Sequence, residues 1–124
     1  MIDKVLSFIS GFFKKERQRS PRYSPSRVIK CDCSYMESGE KIEFLAEISN
    51  VSKSGILLMT YQQRVYPETW LEISFKLPSS KEALSIHGVV VRSYRVTGLL
   101  WHYIAIRLED QNEEGVRILV EACQ

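Results

Sequence analysis

The sequence predicts a mainly β domain: six antiparallel strands in a barrel or sandwich, closed by a C-terminal helix and preceded by an amphipathic N-terminal one. Three observations carry this. Apolar residues alternate with polar ones through most of the segment after Arg27, Gly-, Ser- and Pro-bearing turn signals separate the runs, and no crossover helix lies between them. A length of 124 residues fits one core, and 44% hydrophobic with 26% charged residues matches an ordinary globular chain. No apolar run approaches the length that spans a membrane as a helix.

Met1 to Lys15 reads as a helix. On a wheel, Ile2, Val5, Leu6, Ile9, Phe12 and Phe13 share one arc, with Asp3, Lys4, Ser7, Ser10, Lys14 and Lys15 opposite. Such a helix packs on its own domain, on a second copy (a homodimer), or at a membrane surface with its lysines near the headgroups. Residues 16–27, ERQRSPRYSPSR, form an extended basic arm, because two prolines and three serines oppose a helix or a central strand.

The strands follow in order. Val28–Tyr35 places Ile29, Cys31, Cys33 and Tyr35 on one face, and Ser38-Gly39 supplies a turn. Lys41–Ser49 points Ile42, Phe44, Ala46 and Ile48 inward. Ser54-Gly55 leads into Ile56–Tyr61, and Thr69–Leu77 alternates through Leu71, Ile73, Phe75 and Leu77. Ala83–Tyr94 and Leu99–Leu108 complete the set around a Thr97-Gly98 turn. The chain closes with a helix over 112–123: Asn112 as N-cap, Glu113 and Glu114 at the positive end of the dipole, and a stripe of Val116, Leu119, Val120 and Cys123.

Charge is divided unevenly. Residues 1–30 carry eight Lys or Arg against two acids, while residues 31–124 carry nine against thirteen. The positive arm therefore calls for an anionic partner. Catalytic parts are scarce, and no catalytic residue, metal site or cofactor is expected. Three cysteines match no disulfide framework or zinc spacing, and Cys31 and Cys33 read as small buried hydrophobes. The two histidines, His87 and His102, show no acid partner in the sequence, and Trp70 and Trp101 fit barrel packing, though an exposed Trp101 could stack on a purine. These traits point to a binding module in a reducing cytoplasm and away from an enzyme.

The arginine-rich arm pairs with a second motif, Asn50-Val51-Ser52-Lys53-Ser54-Gly55, at a turn between strands. Alone, N-x-S-x-x-G is turn chemistry, with Asn and Ser capping backbone groups and Gly taking a positive φ. A basic arm, an alternating strand, this turn, six strands, the last reading YIAIRLED at Tyr103–Asp110, and a terminal helix together resemble the PilZ domain, over roughly Glu16 to Gln124.

The resemblance implies a six-stranded PilZ-like β-barrel that binds the bacterial second messenger cyclic di-GMP, with an R-x-x-x-R pair gripping phosphates and guanine edges. The [D/N]-x-S-x-x-G turn contacts a guanine in that family. Guanidinium forks suit both phosphate oxygens and the O6/N7 edge of guanine. Carried over, the ligand-binding residues are Arg22, Asn50, Ser52 and Gly55, with Arg17 and Arg19 auxiliary. Four residues before Arg22 the chain has Gln18, and no two arm arginines are spaced i, i+4. The expected function is a receptor or adaptor whose arm reorders on the ligand and signals to a protein of motility, secretion or polysaccharide synthesis. The resemblance places it in the cytoplasm, at the inner-membrane periphery if the first helix meets lipid. The alternative is a PilZ adaptor that has lost the nucleotide. Nucleic acid is disfavoured as a partner by the acidic balance after residue 30.

Overall fold

The computed structural model describes residues 21–61, 64–78, 82–95, 100–109 and 113–124. The expected N-terminal helix, Arg17, Gln18, Arg19, the Thr97-Gly98 turn and the Asn112 cap lie outside the described residues. Six strands form: β1 (Lys30–Glu37), β2 (Glu40–Val51), β3 (Gly55–Tyr61), β4 (Trp70–Phe75), β5 (Leu84–Arg95) and β6 (Trp101–Leu108). Helix α1 (Glu113–Cys123) follows. All pairings are antiparallel, and the sheet closes in the order β1-β2-β3-β6-β5-β4. Of the two architectures open to the sequence, the chain adopts the barrel, which leaves no sheet edge unpaired.

The β1–β2 hairpin turns on Ser38 and Gly39, with φ of 51° and 81°. Two positive φ values match the right-handed twist of the flanking strands, and a small residue followed by glycine adopts them at low cost. At one end of the barrel the chain crosses from β3 to β4 and inserts Val65, 1% exposed, as a plug. At the opposite end α1 lays Val116, Leu119, Val120 and Cys123 onto the same core. The expected helical stripe is therefore the buried one.

Between the plugs, Ile48, Ile56, Leu58, Leu71, Ile73, Ile86, Ile104 and Ile106 fill the interior. Each buried aliphatic side chain contributes about 1.5–3 kcal/mol, so this interior dominates stability. Cys31 and Cys33 lie in it with their sulfurs 3.8 Å apart. The hydrogen bond with Cys31, then burial, pushes the Cys33 thiol far above its ordinary range. A thiol held protonated is a poor nucleophile and a poor ligand.

Two sequence expectations change. Trp70 and Trp101 lie on the outside of the barrel: Trp70 stacks on His87 at 5.8 Å, and Trp101 meets Tyr61 edge-on at 5.5 Å. His87 also has an acid partner, Glu72, whose carboxylate lies 3.4 Å from Nε2. The two face each other across the β4–β5 ladder, a neighbour relation set by register. Among the described residues, no helix is long and apolar enough to cross a membrane.

Candidate functional site

The arm is fastened to the barrel at two points. Tyr23 and Val51 exchange both backbone hydrogen bonds, at 2.8 and 2.9 Å, and Ile48 N–H donates to Ile29 at 3.0 Å. Between these clasps the chain loops outward, leaving Arg27 and Val28 exposed. Arg22 is thereby held, half-buried, beside the Tyr23–Val51 bridge, whose antiparallel register sets it across from Ser52 and diagonal to Asn50. The two motifs are 28 residues apart in number, and the structure brings them together.

The turn after Val51 is built around Ser52. Fully buried, its hydroxyl accepts the N–H groups of Ser54 at 3.3 Å and Gly55 at 3.1 Å and donates to the Gly55 carbonyl at 3.4 Å. The Ser52 N–H donates to the same carbonyl at 2.8 Å, and Ser54 accepts from Leu108 at 2.9 Å. Ser52 thus serves the turn. Gly55 opens β3 opposite Arg107 with an ordinary negative φ, not the positive one that the motif suggested; among the described residues positive φ occurs at Ser38, Gly39 and Glu68. Beyond the turn lies a groove of about 710 Å³ lined by Lys53, Leu108, Val116 and Val120.

Asn50 owes its direction to a bulge. Strict alternation from Ile48, which points in, would aim Asn50 into the core and Val51 outward. An extra residue between Ile48 and Asn50 resets the alternation, so Asn50 pairs with Leu57 on the outer face and Val51 is fully buried. The Asn50 Oδ1 atom is shielded from solvent and meets no hydrogen-bond donor among the described residues. A buried acceptor of this kind calls for a hydrogen-bond partner.

A second bulge, between Val90 and Arg92 on β5, acts in the same way. Arg92 turns outward opposite Ala105, which pairs with Leu57, which pairs with Asn50. The result is one transverse row on the outer face, Asn50–Leu57–Ala105–Arg92, about 14 Å from end to end at normal strand spacing. Leu57 and Ala105 form a small apolar floor of their own, against which Tyr94 and Tyr103 pack. Arg92 Nη1 donates to the Tyr94 hydroxyl at 2.7 Å, and Arg107 stands on the neighbouring row.

Arg22, Lys53, Arg92 and Arg107 gather around this face, with Glu47 on the adjoining row opposite Met59, while Asp32, Glu43 and Glu72 lie across β1, β2 and β4. Sequence reasoning missed Arg92 and Tyr94, because the β5 bulge that aims them leaves no mark in an apolar pattern already reading as Val and Ile, and Tyr103, because its place opposite Tyr94 is set by the β5–β6 register.

The family model of the PilZ domain matches residues 16–124. The chain belongs to the PilZ domain family. Comparison with curated proteins finds no significant match. Among solved structures, this PilZ domain is similar to the PilZ domain of Escherichia coli YcgR with c-di-GMP, at a TM-score of 0.60 and 9% identity, covering 86% of this chain and 91% of that one. The Klebsiella pneumoniae MrkH–c-di-GMP complex gives 0.59 at 16% identity, covering 84% and 53%. The Bacillus subtilis inhibitor of motility MotI/DgrA gives 0.54 at 14%, covering 82% and 48%. This PilZ domain therefore spans about half the length of the last two and nearly all of the first. At these identities the likeness establishes the barrel.

Proposed function

We propose that this PilZ domain is a cyclic di-GMP receptor or adaptor. The observation that carries the reading is the juxtaposition of Arg22 with Asn50 by the Tyr23–Val51 clasp. The half-buried Arg22 and the shielded Asn50 acceptor then lie near each other, with Lys53, Arg92 and Arg107 in the same region. Arg22 suits a phosphate or the O6/N7 edge of guanine, and the Asn50 oxygen can accept from the N–H donors on guanine's opposite edge. Ser52 and Gly55 shape the turn that presents Asn50, and Arg17 and Arg19 supply further positive charge. The occurrence of c-di-GMP in the YcgR and MrkH structures supports the same ligand class.

In this reading residues 16–124 form the receptor and residues 1–15 an appended amphipathic helix. Ligand binding reorders the arm, and signalling passes by contact to a protein effector of motility, secretion or polysaccharide synthesis. No step requires a nucleophile, metal or cofactor. The rival reading, an adaptor without nucleotide, is favoured by Gln18 standing four residues before Arg22. One charged hydrogen bond is worth about 1.5–3 kcal/mol, so its loss weakens binding about tenfold to a hundredfold.

Titration calorimetry with cyclic di-GMP, beside Arg22→Ala and a GTP control, separates the two. Saturable heat that the variant loses and GTP does not produce supports the receptor. Absence of heat at high messenger concentration leaves the adaptor.

A further inference from the structure

The outer face of β3 and β6 carries apolar surface that the candidate site does not use. On β3 Leu58 and Thr60 are buried in the barrel, which turns Met59 and Tyr61 outward, and on β6 the buried Ile104 does the same for Trp101 and Tyr103. The ladder sets Met59 against Tyr103 and Tyr61 against Trp101, whose rings meet edge-on at 5.5 Å. Leu45 adjoins them from β2, beside the Ala46–Thr60 pair. Leu45 is 69% exposed, Tyr61 54% and Leu100 41%. Large apolar side chains gathered in this way mark a surface that is built to be covered.

We propose that the segment Met1–Lys15 of the same chain covers it, lying as an amphipathic helix along β3 and β6 with its apolar arc on Met59, Tyr61, Trp101 and Tyr103. The arc has the content for this contact: Ile2, Val5, Leu6, Ile9, Phe12 and Phe13. Length agrees, since a helix over this segment extends about 22 Å and β3 from Gly55 to Tyr61 runs about 20 Å. The described chain starts at Pro21, two residues before the Tyr23–Val51 bridge, at the end of the barrel where β2 turns into β3. Residues 16–20 reach up to about 17 Å, enough to bring Lys15 from there onto the head of β3. Charge agrees as well. The segment carries three lysines against Asp3, residues 31–124 carry thirteen acids against nine bases, and Glu47 stands opposite Met59. The same acidic surplus opposes anionic lipid as the occupant. Against a second copy stands the tether, because a short linker holds its segment at an effective concentration of about millimolar.

The test reads Trp101 by fluorescence in the full chain carrying Trp70→Phe. These are the two tryptophans of the chain, and Trp70 stands on β4, across the barrel from β3. This parent is compared with the same chain carrying Phe12→Ser and Phe13→Ser, which leaves every described core residue in place, and circular dichroism confirms the strand signal of both. The double substitution should shift Trp101 emission to the red and raise its quenching by acrylamide. That difference should persist over about a hundredfold dilution, as an intramolecular contact does. Equal emission and quenching in the two chains overturn the proposal. So does a difference that fades on dilution, which makes the occupant a second copy, and so does one that arises only with vesicles of anionic phospholipid, which makes it a membrane.

Discussion

Replacing Ser52 by Ala separates a turn-building role from a ligand contact. The hydroxyl is fully buried and accepts two backbone N–H groups, from Gly55 at 3.1 Å and Ser54 at 3.3 Å. Each such bond contributes about 0.5–1.5 kcal/mol net, so losing both removes about 1–3 kcal/mol. The backbone bond from Ser52 N–H to Gly55 survives at 2.8 Å, and a domain of ordinary stability, about 5–15 kcal/mol, stays folded. Equilibrium urea unfolding without any nucleotide is the assay. The midpoint should fall with an unchanged slope, and the thermal midpoint should drop by about 4 °C per kcal/mol lost. A loss under about 0.5 kcal/mol would refute the scaffold role, since an idle hydroxyl is what a residue reserved for ligand would show. If the reasoning holds, Ser52→Ala weakens nucleotide binding through a loosened Asn50, and Asn50→Ala weakens binding with little effect on stability.

Two other substitutions test the barrel. Gly88 faces the interior of β5, where a Cβ would collide with Ile106 Cγ2 and lie 2.6 Å from the Arg107 carbonyl oxygen. Gly88→Ala should cost about 1–3 kcal/mol by urea unfolding, and trimming Ile106 should not restore it, because the second obstacle is backbone. His102 has its pKa lowered by burial and by Arg95 and Arg64 nearby. Its folded value lies below its unfolded one, so the unfolded chain takes up the proton first. Its contribution is complete above about pH 6.5 and is lost as pH falls through that value toward the lower folded pKa. Thermal midpoints between pH 7.5 and 5.5 should fall less steeply in His102→Gln than in the wild type; equal slopes would remove His102 as a cause.

Much of the fold was legible because periodicity is a local property of the chain. Leu71, Ile73, Phe75 and Leu77 alternate, and all four are buried; Val116, Leu119, Val120 and Cys123 recur at helical spacing, and all four face the core. Of the candidate site, the residue types in both motifs could be read, and so could the turn at Asn50–Gly55. Their meeting could not, since the Tyr23–Val51 clasp joins positions with no shared pattern.

The sequence by itself determined that six strands and a helix form, which faces are apolar, and that positive charge collects in the first thirty residues. Tertiary structure alone decided that the sheet closes as β1-β2-β3-β6-β5-β4, that His87 meets Glu72, and that both tryptophans stand outside the core. It also decided the candidate face, because one extra residue in β2 and one in β5 reverse the alternation and turn Asn50 and Arg92 outward together. The physical reason is that side-chain direction follows the strand's own period only until a bulge intervenes. Where a bulge falls depends on the strand opposite, which the local pattern does not name.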